Sequence, residues 1–260
     1  MLSRKYGVTA HSLYNWFKKA GLKLRDNHTK NVNRATCNEH YFDVIDSSDK
    51  AYWLGFLSAD GFVTTPTKGA SPVLGLTLKE SDTSHIEKLL TCLESTHKIH
   101  TYTVTSGYKI GTLYSRVLIP NQHLVETIHK YNIRPDKTTT FKPVDVPQAF
   151  RRDYIRGMFD GDGCITAITA NKNVPQYSCE FLGTDATLDY ITQCLMDEEI
   201  ITHKYYYDRR KPGQPVAAFK LGGNNMAYKA ATYLYKDSNM YLDRKYKRYQ
   251  DLSALINSRS

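Results

Sequence analysis

Tyr52-Trp-Leu-Gly-Phe-Leu-Ser-Ala-Asp-Gly-Phe-Val63 returns later in the chain as Tyr154-Ile-Arg-Gly-Met-Phe-Asp-Gly-Asp-Gly-Cys-Ile165, with Tyr, Gly, Asp and Gly in register. Asp60 and Asp162 set the offset at 102 residues. Gly55 and Ala59 stand four apart, as do Gly157 and Gly161, so each pair makes a bare stripe on one helix face where another backbone can approach. An interior Gly costs a helix roughly 1 kcal/mol relative to Ala, so Gly55 and Gly157 need a packing reason, and the two helices are expected to pack on each other. The Gly after each Asp predicts a left-handed C-terminal cap, with Asp60 and Asp162 in the last turn. The helix dipole disfavours negative charge there, so a cation is expected nearby. Paired about a pseudo-twofold axis, the helices would bring both carboxylates to one end, an arrangement that suits a divalent metal and in-line phosphodiester hydrolysis.

The repeat extends beyond these segments. At the same offset Ile86, Leu89 and Leu93 align with Leu188, Ile191 and Leu195, the apolar positions of an amphipathic helix in each half. Strand-like stretches, 72–79 and 176–183, lie between motif and helix. Further β-rich runs follow, 98–119 with a turn near Ser106-Gly107 and 201–221 with a turn around 211–213. Each half ends in a helix, 121–131 and 225–235. The predicted unit is helix, two strands, helix, two strands, helix, used twice.

The net charge is +9, which favours a polyanionic partner. Residues 1–36 hold +7 of it. Within them, 1–22 has helix-turn-helix spacing: Ser3 at the small position, Gly7 in the turn, and Val8, Leu13, Trp16 and Phe17 expected to pack two helices together. The second helix, 10–20, would present His11, Ser12, Tyr14, Asn15, Lys18 and Lys19 as a groove-reading face. The first helix has only about five residues, so the unit is clipped. The expected organisation is a DNA-binding segment at 1–24, a polar linker at 25–49, a first half at 50–148 and a second at 149–255.

At the two motifs the chain resembles the LAGLIDADG homing endonucleases in their monomeric, two-motif form, over about residues 50 to 252. The closing stretch from Tyr233 to Tyr246 is similar to that family's ending. The resemblance implies an α+β fold of two pseudo-symmetric αββαββα halves joined at paired motif helices, with twisted sheets forming a saddle over DNA. It implies that Asp60 and Asp162 bind Mg²⁺, with Mn²⁺ able to substitute, and support cleavage of both strands, the carbonyls of Ala59 and Gly161 being secondary ligands. Ser58 departs from the commoner pattern, where the second motif has Asp160. By its place in the repeat Lys220 matches the family's catalytic lysine, with Arg116 as its nearest first-half counterpart. Lys204, Tyr205, Tyr206, Tyr207, Asp208, Arg209, Arg210 and Lys211 read as a basic, aromatic strand. Lys204 and Tyr206 fall on one face and Tyr205, Tyr207 and Arg209 on the other, and either face could meet DNA.

The expectation is a metal-dependent, site-specific double-strand DNA endonuclease acting as a monomer at a long, partly palindromic target, and belonging to a phage or intron mobile element. The alternative is a non-cleaving binder on the same fold, either a transcription regulator or a maturase acting on intron RNA. An intein reading is poor, because Met1-Leu2 and Asn257-Ser-Arg-Ser260 lack the splicing nucleophile and the His-Asn end. Cys37, Cys92, Cys164, Cys179 and Cys194 contain no Cys-x-x-Cys pair and read as reduced thiols. His97 and His100 lack the further ligands of a zinc site. Without a signal peptide or an apolar stretch long enough to span a bilayer, the expected location is cytoplasmic.

Overall fold

The computed structural model describes residues 6–22, 35–64, 70–107, 109–169, 175–209 and 213–259. It separates into two units, Met1–Thr36 and Cys37–Ser260. In the first, Thr9 starts helix α1 (Ala10–Lys19): its hydroxyl accepts the Ser12 amide at 3.1 Å, satisfying one of the free N–H groups of the first turn. Lys18 and Lys19 occupy the last turn, where the helix dipole favours them. Gly7 takes the left-handed conformation expected of a turn, with φ +62°. Trp16, expected to pack inward, is 54% exposed, while Val8, Leu13 and Phe17 are half-buried. The expected first helix falls on residues 1–5 and the first ten residues of the linker on 25–34, and both lie outside the described residues.

The second unit begins earlier than the composition suggests. Residues 37–47 were expected in the linker, yet Tyr41, Phe42 and Ile45 are buried in the core and anchor the polar residues around them. The first half then runs α2 (Ser48–Ala59), β1 (Gly61–Thr64), β2 (Val73–Lys79), α3 (Thr83–Cys92), β3 (His100–Thr103), β4 (Leu113–Pro120) and α4 (Gln122–Lys130). Its antiparallel sheet has the order β1-β2-β4-β3. Ser47 caps α2 and Asn121 caps α4 through their side chains. Strand alternation puts Leu74, Leu76, Val117 and Ile119 on the buried face, with Phe62, Thr77, Tyr102 and Arg116 on the other.

The second half runs α5 (Arg151–Asp162), β5 (Cys164–Thr169), β6 (Pro175–Thr184), α6 (Asp185–Asp197), β7 (Val216–Gly222) and α7 (Asn224–Tyr235). Its sheet order is β5-β6-β7. Cys179, Phe181, Phe219 and Leu221 face the core, and Glu180 and Lys220 face away.

The αββαββα order is complete in the first half. In the second, 201–209 meets β7 through a single bridge, Asp208 to Ala218, and forms no strand. Side-chain attachments hold this segment in place of a ladder: Tyr205 and Tyr207 stack on Phe219, Lys204 pairs with Asp189, and Arg209 pairs with Asp185. One helix was not expected, α8 (Asp243–Asn257). Leu242, Tyr246, Tyr249 and Leu252 follow a 3.6-residue period that carries it across the helical side. Its start ties the halves together, since Lys88 Nζ reaches Asp243 Oδ1 at 2.6 Å and Arg244 Nε reaches Asp82 Oδ2 at 3.0 Å.

Candidate active site

The backbones of α2 and α5 come into close contact where the two helices cross. A Cβ at Gly55 would lie 2.1 Å from the Tyr154 carbonyl oxygen, and one at Gly157 would lie 2.0 Å from that of Tyr52. The contact is reciprocal, as a pseudo-twofold pair requires. One turn on, a Cβ at Gly161 would meet that of Ala59 at 2.3 Å. The two helix ends are thereby forced together.

Asp60 follows the last residue of α2 and Asp162 is the last residue of α5. The left-handed cap expected after each does not form: Gly163 is extended, with φ −75° and ψ 178°, and Gly61 already belongs to β1. What excludes a side chain at these glycines is space. A Cβ at Gly61 would sit 2.6 Å from the Leu57 carbonyl oxygen, and one at Gly163 would sit 2.4 Å from the Phe159 ring.

Desolvation and the neighbouring Asp162 charge raise Asp60 to about 6, and desolvation also raises Asp162, although solvent still reaches its carboxylate. Such a pair is short of positive charge. Two hard oxygen donors held together by crossing helices, both resisting ionisation, fit a divalent cation that would relieve the repulsion.

Two lysines that sequence reading did not single out sit at the helix ends. Lys137 Nζ donates to the Ala59 carbonyl at 2.8 Å. Lys245 Nζ donates to the carbonyls of Phe159 at 2.6 Å, Asp160 at 2.7 Å and Gly163 at 2.5 Å. These ammonium groups answer the C-terminal dipoles and the acid pair together. Burial lowers the pKa of both, that of Lys245 to about 8, against the opposing pull of the nearby carboxylates. The Ala59 carbonyl, expected as a secondary metal ligand, already accepts from Lys137, and Gly161 lies at the crossing itself. Lys137 and Asp162 also line a cleft of about 240 Å³, with Ser58, Leu182 and Thr187. Lys137 had no local signal, since only the tertiary path of 137–141 brings it here. Lys245→Met should leave three carbonyls without their donor and lower the unfolding free energy by about 2 kcal/mol, read as a lower urea midpoint at unchanged slope. An unchanged midpoint would show that Lys245 does not hold the helix end.

Asp160 explains the departure at Ser58. It is fully buried, accepts from the Tyr52 hydroxyl and the Leu242 amide, each at 2.8 Å, and also from the Tyr235 hydroxyl. It therefore joins α2, α7 and the approach to α8, whereas Ser58 only returns a hydrogen bond to the Gly55 carbonyl at 2.7 Å. Tyr52, which donates to Asp160, also meets His85 Nε2 at 3.0 Å. Burial holds that imidazole neutral, with its pKa lowered to about 3.

Of the remaining predicted residues, Lys220 is exposed on the open face opposite Glu180, which is itself opposite Cys164. The equivalent first-half row is Phe62, Gly75 and Leu118, so register makes Leu118, and not Arg116, the counterpart of Lys220. Arg116 lies two residues along on the same face, donating to Thr77 Oγ1 and the Tyr102 hydroxyl, both at 2.9 Å. Tyr205 and Tyr207 cover the core-side ring of Phe219 and so are packing residues; Tyr206, 86% exposed, is the tyrosine that points outward. Lys204 and Arg209 are paired with acids of α6, and Arg210 and Lys211 lie outside the described residues. His11, Tyr14, Asn15, Lys18 and Lys19 are exposed on α1.

No family model and no curated protein matches the sequence. Solved structures do match. The LAGLIDADG homing endonuclease I-GzeII in complex with its DNA target has a TM-score of 0.56 at 12% identity, covering 80% of this chain and 91% of that one. The I-LtrWI enzyme bound to target DNA gives 0.53 at 12%, covering 85% and 91%. The LAGLIDADG meganuclease I-AabMI bound to uncleaved DNA gives 0.52 at 12%, covering 80% and 92%. With the αββαββα order of the first half, the reciprocal glycine crossing and the acid at each helix end, these likenesses place the chain in the LAGLIDADG homing endonuclease fold.

Proposed function

We propose that this protein is a divalent-metal-dependent, site-specific endonuclease for double-stranded DNA. The observation that carries the reading is the Asp60 and Asp162 pair, pressed together by a helix crossing that tolerates no side chain and flanked by the buried ammonium groups of Lys137 and Lys245. Asp60 and Asp162 would hold the cation, with Mg²⁺ the natural choice for carboxylate oxygens and Mn²⁺ a substitute. Bound there, the ion supplies Lewis acidity at a phosphoryl oxygen and lowers the pKa of a bound water. The protein's own part is to hold both carboxylates side by side at the crossing and to set the ammonium groups of Lys137 and Lys245 beside them. Lys220 and Arg116 stand on the open sheet faces, where they would meet the phosphate backbone. The open rows differ between halves, Cys164-Glu180-Lys220 against Phe62-Gly75-Leu118, so a target matched to both would be only partly palindromic. One chain carries both halves, and a monomer suffices.

The test is to incubate the protein with a randomised duplex library and Mg²⁺ and to sequence the ends produced. Cohesive ends at one long motif support the proposal. Enrichment by binding without cutting would replace it with a regulator or maturase reading, and RNA and DNA retention would then be compared.

The N-terminal unit holds +7 of the net charge and none of the catalytic acids. Deleting residues 1–36 is expected to weaken DNA binding and flatten its salt dependence, by about 0.9 in the slope of log K against log salt per lost phosphate contact. Cutting at saturating protein should persist at the same central sequence, with less selectivity at the flanks that Tyr14, Asn15 or Lys18 would read. Unchanged affinity and slope would remove DNA binding from this unit.

A further inference from the structure

The segment that opens the second unit brings His40 and Asp43 against His123 in the first turn of α4. His40 Nδ1 meets one Asp43 carboxylate oxygen at 2.7 Å, and His123 Nε2 meets the other at 2.7 Å. The imidazole centroids are 4.5 Å apart, and the three nearest donor atoms all lie within 4.8 Å of one another. Thr127 Oγ1 donates to Asp43 at 3.2 Å and helps fix the carboxylate. Behind His40, its far nitrogen Nε2 is 3.9 Å from Glu39 Oε1, and Glu39 is itself held by the Asn121 amide at 2.8 Å.

We propose that His40, Asp43 and His123 form a binding site for a divalent transition cation, zinc by its donor set, which fastens segment 37–47 to α4. Two imidazoles and one carboxylate are a borderline-soft set that suits zinc and not magnesium. Ligands about a tetrahedral zinc stand about 3.3 Å apart, given Zn–N and Zn–O bonds near 2.0 to 2.2 Å, so the two 2.7 Å contacts would widen by about half an ångström and the widest separation, within 4.8 Å, would close toward the same value. Each neutral imidazole would turn the lone pair of the nitrogen now facing Asp43 to the ion and carry its proton on the other nitrogen. For His40 that proton would point toward Glu39, the outer carboxylate that ligating histidines commonly use. The side chains of His40, Asp43 and His123 are 66%, 36% and 38% exposed, which leaves a path for the ion and room for a water as fourth ligand. The site is independent of the proposed nuclease function, sharing no residue with the Asp60 and Asp162 pair.

The test titrates zinc chloride into the chelator-stripped full chain by calorimetry, in excess Mg²⁺ to occupy the oxygen-only pair. The expected result is a single equivalent bound at micromolar Kd or tighter. His40→Ala or His123→Ala should weaken it by at least about tenfold, while Asp60→Asn leaves it unchanged. Cobalt in place of zinc should give tetrahedral visible absorption without a thiolate charge-transfer band, which separates this site from the cysteines. Zinc should raise the melting temperature of the wild type and not of the variants. Equal zinc affinity in the double histidine variant, or no binding at about 100 μM zinc, would overturn the proposal and leave a His-Asp-His hydrogen-bonded staple. Should His123→Ala melt below the assay temperature in chelator, His40→Ala carries the same comparison, because its side chain lies mostly in solvent.

Discussion

Asp60→Asn is expected to lower DNA cleavage by orders of magnitude while leaving DNA binding nearly intact, and at the same time to make the metal-free protein more stable. The loss follows from removing one of two ligand charges at nearly constant size. The gain follows from linkage. Asp60 ionises near 6 in the folded protein against a reference of 3.8, so folding takes up a proton between those values. The charged folded state therefore carries a penalty that grows as pH rises through that window and is complete above about 6. A shift of about two units at about 1.4 kcal/mol each sets an upper bound of about 3 kcal/mol on what Asn recovers. In chelator at pH 7.5, the variant should melt above the wild type, and the gap should close by about pH 4. Added Mg²⁺ should stabilise the wild type more than the variant. Normal cutting by the variant would sink the catalytic assignment, and a variant less stable than wild type in chelator would show that Asp60 is not held against repulsion.

Gly157→Leu is expected to cost about 3 kcal/mol or more, because what a side chain would strike is the Tyr52 backbone carbonyl at 2.0 Å and the Phe56 amide nitrogen at 2.7 Å, neither of which has a rotamer to escape into. For a unit of this size that is a fall of roughly 10 °C in melting temperature. Activity should fall with it, since spreading the crossing separates the two acids. Gly55→Leu should behave alike through the Tyr154 carbonyl. Gly222→Ala is the control: it is a strand glycine with nothing within 4 Å of the added Cβ, and its melting should not change. Unchanged melting of Gly157→Leu would mean that the helices do not cross as described.

The regular elements were largely legible because they rest on local periodicity. The αββαββα order of the first half and the small-residue faces of α2 and α5 follow from spacing that needs no knowledge of partners. Where local pattern and burial disagree, reading the sequence failed. Residues 37–47 look like linker because polar residues dominate, yet Tyr41, Phe42 and Ile45 seat them in the core. The basic, aromatic run at 204–209 has strand composition, but Tyr205 and Tyr207 lie on Phe219 and its charges reach α6.

The sequence by itself determined the duplicated acid, its place at the end of a helix, the bare face that pairs the two helices, and the concentration of charge in residues 1–36. These are properties of neighbours in the chain, set by 3.6-residue periodicity and by composition. Tertiary structure alone decided which cations attend the acids, because Lys137 and Lys245 arrive from 77 and 83 residues beyond the aspartates they follow. It likewise set the register that makes Leu118, in place of Arg116, the first-half counterpart of Lys220, and the burial that raises Asp60, since desolvation depends on what packs around a carboxylate and not on what precedes it.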